Sequence, residues 1–234
     1  MTLNSCLELD SLIARLLILQ LSLMCIWLPQ EGKPLSNPSL YRRLVGNRVY
    51  LTVTHPDISY VVHQVSQYLS TPRSTHYAAV LRILRYLKGT FFHGLFYFAQ
   101  CHLILRAFSD TDWAGDPTDR RSTTGYCFLL GSSLISWRSK KQTHAARSNI
   151  EVEYCALTNT TSELLWLWWL LKDLGVSTSS VTPLYYDNQS SIHIAFKLIL
   201  VSSKDQLADI FTKLHPKGCL RTLVDNLKLV SHPP

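Results

Sequence analysis

With 234 residues and 47% apolar side chains, the chain has the length for one or two domains and enough apolar content to bury a core. Its formal net charge of +7 is unevenly placed: residues 38–100 hold seven Lys/Arg against a single acid, Asp57, whereas 151–234 hold seven against eight. That distribution excludes a uniformly basic tail and suits a local module that grips a polyanion.

Residues 1–37 lack an amphipathic register. The apolar run Leu16–Leu28 is short for a bilayer span and is interrupted by Gln20 and Ser22. Glu8 and Asp10 stand where a secretory signal would carry basic residues. This stretch reads as a core helix or as a poorly ordered leader of uncertain origin, and no membrane partner is expected. Three helices are predicted next. Pro38 after Asn37 suits a first helical turn, and the pattern runs to Val53 before His55-Pro56 breaks it. A second helix starts at Pro56-Asp57 and runs to Ser70, and a third spans Ser74 to Lys88 and stops at Gly89. On the third, Tyr77, Leu81, Leu84 and Leu87 form an apolar stripe predicted to face the bundle, with Arg82, Arg85 and Lys88 as an outward cationic rail.

From Cys101 the period changes. Leu103–Phe108, Tyr126–Leu130 and Leu134–Trp137 are short β-prone runs between Asp/Gly/Ser turns, which predicts an antiparallel meander. A long helix follows from Ser148 to Leu174. Its centre, Leu164–Leu171, is apolar nearly all round and is expected to need cover on most sides. Thr182–Tyr186 reads as a strand, Gln189–Lys197 as a short helix, Leu198–Val201 as a fifth strand and Lys204–Leu214 as a last helix. The result is a mixed α/β layout, a five-stranded sheet with flanking helices, preceded by a small all-helical segment. The expected segments are 1–37, 38–100, 101–216 and a tail over 217–234. The six cysteines form no C-x-x-C pair and no zinc spacing, so they read as buried or free thiols in a reducing compartment.

Four acidic residues stand at strand or helix ends: Asp110, Glu153, Asp187 and Asp209. Hard divalent cations take oxygen ligands, and carboxylates gather closely only around cations. Local competitors narrow two of these choices. Ser148 and Glu151 make a capping box, which accounts for Glu151. Glu153 lies about 200° round the helix and shares a face with Leu157, Thr160 and Leu164, where a carboxylate is costly without a counter-ion. Ser203, Asp205 and Gln206 suggest a second box, leaving Asp209 a turn deeper. Asp110 and Asp112 remain inseparable by pattern.

Several runs together resemble a family. Tyr41-Arg42-Arg43-Leu44-Val45-Gly46, Leu51 to Tyr60 and Leu84-Arg85-Tyr86-Leu87-Lys88-Gly89-Thr90 resemble the end of the reverse transcriptase region of copia-class retrotransposon Pol polyproteins. Ser109 to Asp116, Ser122 to Tyr126, Ser136 to Gln142, Glu151 to Tyr154, Tyr186 to Ser190 and Ala208 to Lys213 resemble the ribonuclease H domain that follows it. The resemblance implies a ribonuclease H-like fold that hydrolyses the RNA strand of RNA–DNA hybrids. It makes Asp110, Glu153, Asp187 and Asp209 the ligands of Mg2+ or Mn2+, with two ions flanking the scissile phosphate. RNA–DNA hybrid is the implied partner, together with the rest of a Pol polyprotein, and the implied setting is intracellular, cytoplasmic or nuclear. Arg82, Arg85, Lys88, Lys140 and Lys141 are candidate contacts to the nucleic-acid backbone.

The polymerase signature of paired aspartates is absent, so the chain is not by itself a reverse transcriptase. Relatives also carry a further helix where this chain passes from Lys197 to Leu198. Ten residues from Asn188 to Lys197 are short for a parallel crossover, since a nine-residue helix spans only ~13 Å. A fifth strand out of register, a displaced Asp209 and impaired catalysis are the expected consequence. Three functions stay open: a hydrolase, a non-catalytic nucleic-acid-binding remnant, and a transposon relic without a role.

Overall fold

The computed structural model describes residues 32–97, 102–116, 118–176, 182–186, 198–200, 206–213 and 229–231. Expectations for the leader over 1–31, Asp187, the helix over 189–197, the capping residues Ser203 and Asp205, and most of the tail lie outside them. The chain divides into two compact units between Gly94 and Leu95, with Leu229–Ser231 counted in the first.

The first unit is helical. Helix α1 (Pro38–Leu51) begins where Asn37 Oδ1 accepts the Leu40 amide at 3.1 Å, with Pro38 in the first turn, which combines the two devices expected there. A 3-10 turn (Pro56–Ile58) leads into α2 (Ser59–Ser66), which ends short of Ser70. Helix α3 covers Ser74–Gly89. Strand β1 (His93–Leu95) pairs with Leu229–Ser231.

The apolar stripe on α3 is a correction. His76, Ala79, Val80, Ile83 and Tyr86 form the buried face, while Tyr77, Leu81, Leu84 and Leu87 are half-buried. One residue of offset turns a helix by about 100°. Polar anchors invisible to a hydrophobic count set the register. Tyr86 donates to Asp57 Oδ2 at 2.5 Å, His76 Nδ1 accepts the Arg73 amide at 3.1 Å, and the His76 ring stacks on Tyr68. Of the cationic rail, Arg85 and Lys88 are exposed, whereas Arg82 is half-buried.

The second unit is built on one mixed sheet. Strands β2 (Leu105–Thr111), β3 (Thr123–Leu130) and β4 (Ser133–Lys141) form the antiparallel meander, and β5 (Leu184–Tyr186) and β6 (Leu198–Leu200) add parallel strands beside β2. The spatial order is β4-β3-β2-β5-β6, the ribonuclease H-like arrangement expected. Helix α4 (Asn149–Asp173) lies on one face.

Strand alternation explains how β2 serves both faces. Leu105 and Ala107 pack with Tyr126, Phe128, Leu167, Leu171 and Leu184, and Ser109 Oγ meets Thr160 Oγ1 of α4 at 2.8 Å. Phe108 stacks on Tyr185 at 4.6 Å, and Asp110 is left to the other side. Each fully buried Leu or Phe here contributes about 1.5–3 kcal/mol relative to exposure.

Two further expectations are overturned. Among the described residues helix α4 is covered on one side only: Leu167 and Leu171 are buried while Trp166 and Trp169 are 52% and 60% exposed. The last helix is a five-residue 3-10 turn, Leu207–Phe211. Among the described residues no helix is long and apolar enough to cross a membrane.

Candidate metal centre

Asp110 stands near the end of the central strand, opposite Gly125 in register, and is 3% exposed. Asp209, 2% exposed, comes from the 3-10 turn 99 residues later and faces it across the Lys213 ammonium. Lys213 Nζ lies 2.9 Å from Asp209 Oδ2 and 3.9 Å from Asp110 Oδ2. The Thr212 hydroxyl donates to Asp110 Oδ2. Burial first, and the Asp110 charge second, push the Asp209 carboxyl up to about 8 against the pull of Lys213.

The strands β2, β3 and β4 deliver Asp209. Gln206 Nε2 donates to the Ser109 carbonyl at 2.8 Å, and Ser139 Oγ donates to the Phe211 carbonyl at 2.6 Å. Gly125 allows the close approach, because a Cβ there would sit 2.6 Å from Thr212 Cγ2 and 2.8 Å from Phe211 Cβ. Leu207, Ala208, Ile210 and Phe211 are buried alongside. The expected displacement of Asp209 is therefore overturned. Strand β6 pairs with β5 in register, Leu184 opposite Leu198, and the position of Asp209 is fixed from β2–β4 rather than from the fifth strand.

The structure separates Asp110 from Asp112. Asp112 Oδ1 accepts the Thr123 amide at 2.5 Å and closes the β2–β3 connection. Burial, opposed by that hydrogen bond, pushes its carboxyl up to about 7, and the Asp110 charge adds to the rise.

Glu153 is 6% exposed on the sheet-facing side of α4, in line with Ala156 and Thr160. Gln142 ties the start of that helix to the strand end near Asp110: its Nε2 donates to Thr124 Oγ1 at 3.0 Å and to the Val152 carbonyl at 3.2 Å. Thr124 pairs with Thr111, the residue after Asp110. Glu151 caps the helix as expected, although Oε2 accepts the Arg147 amide at 2.8 Å rather than that of Ser148. Asp187 lies outside the described residues.

Lys140 and Lys141 lie within β4, not beyond it. Lys140 is exposed, and with Arg138 and His144 it lines a cavity of about 350 Å³ between β3–β4 and α4. Lys141 is engaged: its ammonium bonds Asp116 and lies 2.9 Å from Asp119. Burial is the largest influence and raises the Asp116 carboxyl, but the hydrogen bond and charge of Lys141 together with the backbone amides of Thr118 and Asp119 outweigh it and hold the group below the usual carboxylate range. The residues that sequence reasoning missed are Thr212, Lys213, Gln206 and Gly125. For Lys213 the signal was its i,i+4 spacing from Asp209.

The Asp110–Asp209 pair suits a hard cation. Both carboxylates are buried, their mutual repulsion contributes to the raised Asp209, and Asp209 Oδ1 has no hydrogen-bond partner. Among the described residues no group of three or more His, Cys, Asp or Glu side chains is gathered closely enough to hold an ion.

Fold and site together define a ribonuclease H-like domain with a buried carboxylate pair at the central strand. The chain is 37% identical over 231 residues to the retrovirus-related Pol polyprotein from transposon RE2 of Arabidopsis thaliana, covering 87% of this chain and 16% of that protein. It is 35% identical over 206 residues to the Pol polyprotein from transposon TNT 1-94 of Nicotiana tabacum, covering 76% and 15%. To the uncharacterized mitochondrial protein AtMg00810 of Arabidopsis thaliana it is 48% identical over 130 residues, 56% of this chain and 54% of that one. The chain belongs to the copia-type retrotransposon Pol polyprotein family. It spans about one sixth of the length of the Pol polyproteins it matches. No family model and no solved structure matches it.

Proposed function

We propose that this chain is the ribonuclease H-type segment of a retrotransposon Pol polyprotein, hydrolysing the RNA strand of RNA–DNA hybrids. The observation that carries the proposal is the burial of Asp110 and Asp209 side by side. They stand 99 residues apart in sequence, at positions that structural capping does not explain. Asp110, Glu153, Asp187 and Asp209 are the proposed ligands of Mg2+ or Mn2+. Tyr186, the last residue of β5, directly precedes Asp187, and β5 runs parallel to β2.

Divalent cations held by these residues would supply activation of a water and stabilisation of the departing 3′ oxygen. The chain's own residues do the positioning. Thr212 orients the Asp110 carboxylate, and Gln206 and Ser139 fix the backbone that carries Asp209. Lys140, Arg138 and His144 offer sequence-independent contacts to phosphates.

Purified chain incubated with a labelled RNA–DNA hybrid and Mg2+ tests the proposal. Cleavage of the RNA strand that Asp110→Asn abolishes supports it. No cleavage, or cleavage indifferent to that change, overturns it. Binding without cleavage is a second reading, favoured by the exposed Arg85 and Lys88 in the basic 38–100 stretch. It requires an affinity that falls steeply with salt.

A further inference from the structure

We propose that Lys213 is a tethered counter-ion for the Asp110–Asp209 pair, displaced when a divalent cation binds, so that it sets the metal concentration at which the site fills. This inference rests on the metal-binding role proposed above and adds a regulator to that same site.

Three observations carry it. First, the ammonium already lies against both carboxylates that would hold a cation, 2.9 Å from Asp209 Oδ2 and 3.9 Å from Asp110 Oδ2. A small divalent ion binds carboxylate oxygens at about 2.0–2.1 Å. A divalent ion held by these carboxylates would compete with Nζ for their charge, and two cations brought close in a buried setting repel strongly. Second, the partners differ in burial. The carboxylates are 5% and 3% exposed at the side chain and are fixed by the central strand and by the clamped 3-10 turn, whereas the Lys213 side chain is 42% exposed. Its four-carbon stem can swing the charge into solvent without moving the backbone. Third, the ammonium satisfies only part of the site. Asp209 Oδ1 has no hydrogen-bond partner, although Oδ2 of the same group is paired. One point charge leaves acceptor capacity that an ion with several coordination positions would use.

Other roles for Lys213 make different predictions. A purely structural ion pair would cost stability when removed and leave metal affinity unchanged. A lysine acting on substrate would alter cleavage and also leave metal affinity unchanged.

The test is calorimetric titration of the full chain with Mn2+ at fixed pH and ionic strength, paired with melting in EDTA and at saturating Mn2+. Lys213→Gln is expected to bind Mn2+ about three- to tenfold more tightly than wild type, the scale of a partly exposed ion pair that no longer competes. The same variant is expected to melt below wild type in EDTA and to close that gap when metal saturates. Lys213→Arg keeps the charge and is expected to hold the wild-type affinity, which separates the charge from loss of the side chain. Unchanged or weaker Mn2+ binding by Lys213→Gln, with Asp110→Asn and Asp209→Asn still losing binding, overturns the counter-ion role and leaves the metal site standing. If Asp110→Asn and Asp209→Asn bind Mn2+ as wild type does, the metal site itself falls and the counter-ion role falls with it.

Discussion

Gly125→Ala perturbs the one place where three strands hold the segment that carries Asp209. The added Cβ would stand 2.6 Å from Thr212 Cγ2, 2.8 Å from Phe211 Cβ and 3.0 Å from the Ala208 carbonyl oxygen. Carbon contacts settle at about 3.5–4.0 Å, so the 3-10 turn must retreat by roughly 1 Å. It cannot do so freely, because Gln206 is hydrogen-bonded to Ser109 and Phe211 to Ser139. Overpacking of this kind costs about 1–3 kcal/mol, a melting drop on the order of 5–15 °C for a unit of this size. A 1 Å misplacement also costs on the order of 100-fold in catalytic rate. Differential scanning calorimetry of the full chain, with hybrid cleavage alongside, reads both effects. Gly46→Ala is the control: nothing lies within 4 Å of its added Cβ, and it sits in α1, where Ala gains about 0.5–1 kcal/mol over Gly. A Gly125→Ala protein that melts and cleaves like wild type would refute the claim that this glycine seats the Asp209 segment.

Tyr86→Phe removes the hydroxyl that donates to the buried Asp57 Oδ2. It is expected to cost about 1–3 kcal/mol in urea unfolding, and no loss would show that Asp57 finds another partner. His76 is buried, and burial first, then the charge of Arg73, pull its imidazole down to about 4. The folded chain therefore binds fewer protons than the unfolded chain between about pH 4 and 6.5, so stability falls as pH falls through that window. Urea midpoints at pH 7 and pH 4.5 should diverge more for wild type than for His76→Gln, and equal divergence contradicts the account. Trp166→Ser with Trp169→Ser should stay within about 0.5 kcal/mol of wild-type stability and reduce self-association in light scattering. A large loss of stability would mean that the exposed face of α4 is covered in solution.

The sequence was most informative where the signal is local. Periodicity placed the helices of the first unit, the meander and the parallel strands. The capping box at Ser148 separated Glu151 from Glu153, and Glu153 does lie on the packing side of α4. Failures arose where distant residues decide. The α3 stripe slipped because Asp57 and the Arg73 amide anchor Tyr86 and His76. Lys141 looked available because Asp116 and Asp119 come to it only once β4 folds beside the loop after β2. The displacement expected for Asp209 assumed that the fifth strand holds it, whereas β2, β3 and β4 do. Asp110 and Asp112 share one alternation, and the distant Thr123 amide on Asp112 and Thr212 hydroxyl on Asp110 tell them apart.

That last pair provides the most direct test of the central claim, that Asp110 and Asp209 form a shared cation-binding pair. Mn2+ titration of wild type, Asp110→Asn, Asp112→Asn and Asp209→Asn compares them on one scale. A shared site requires binding by wild type and Asp112→Asn, and its loss in the other two. Wild-type affinity in Asp110→Asn or Asp209→Asn, or a loss confined to Asp112→Asn, would contradict it.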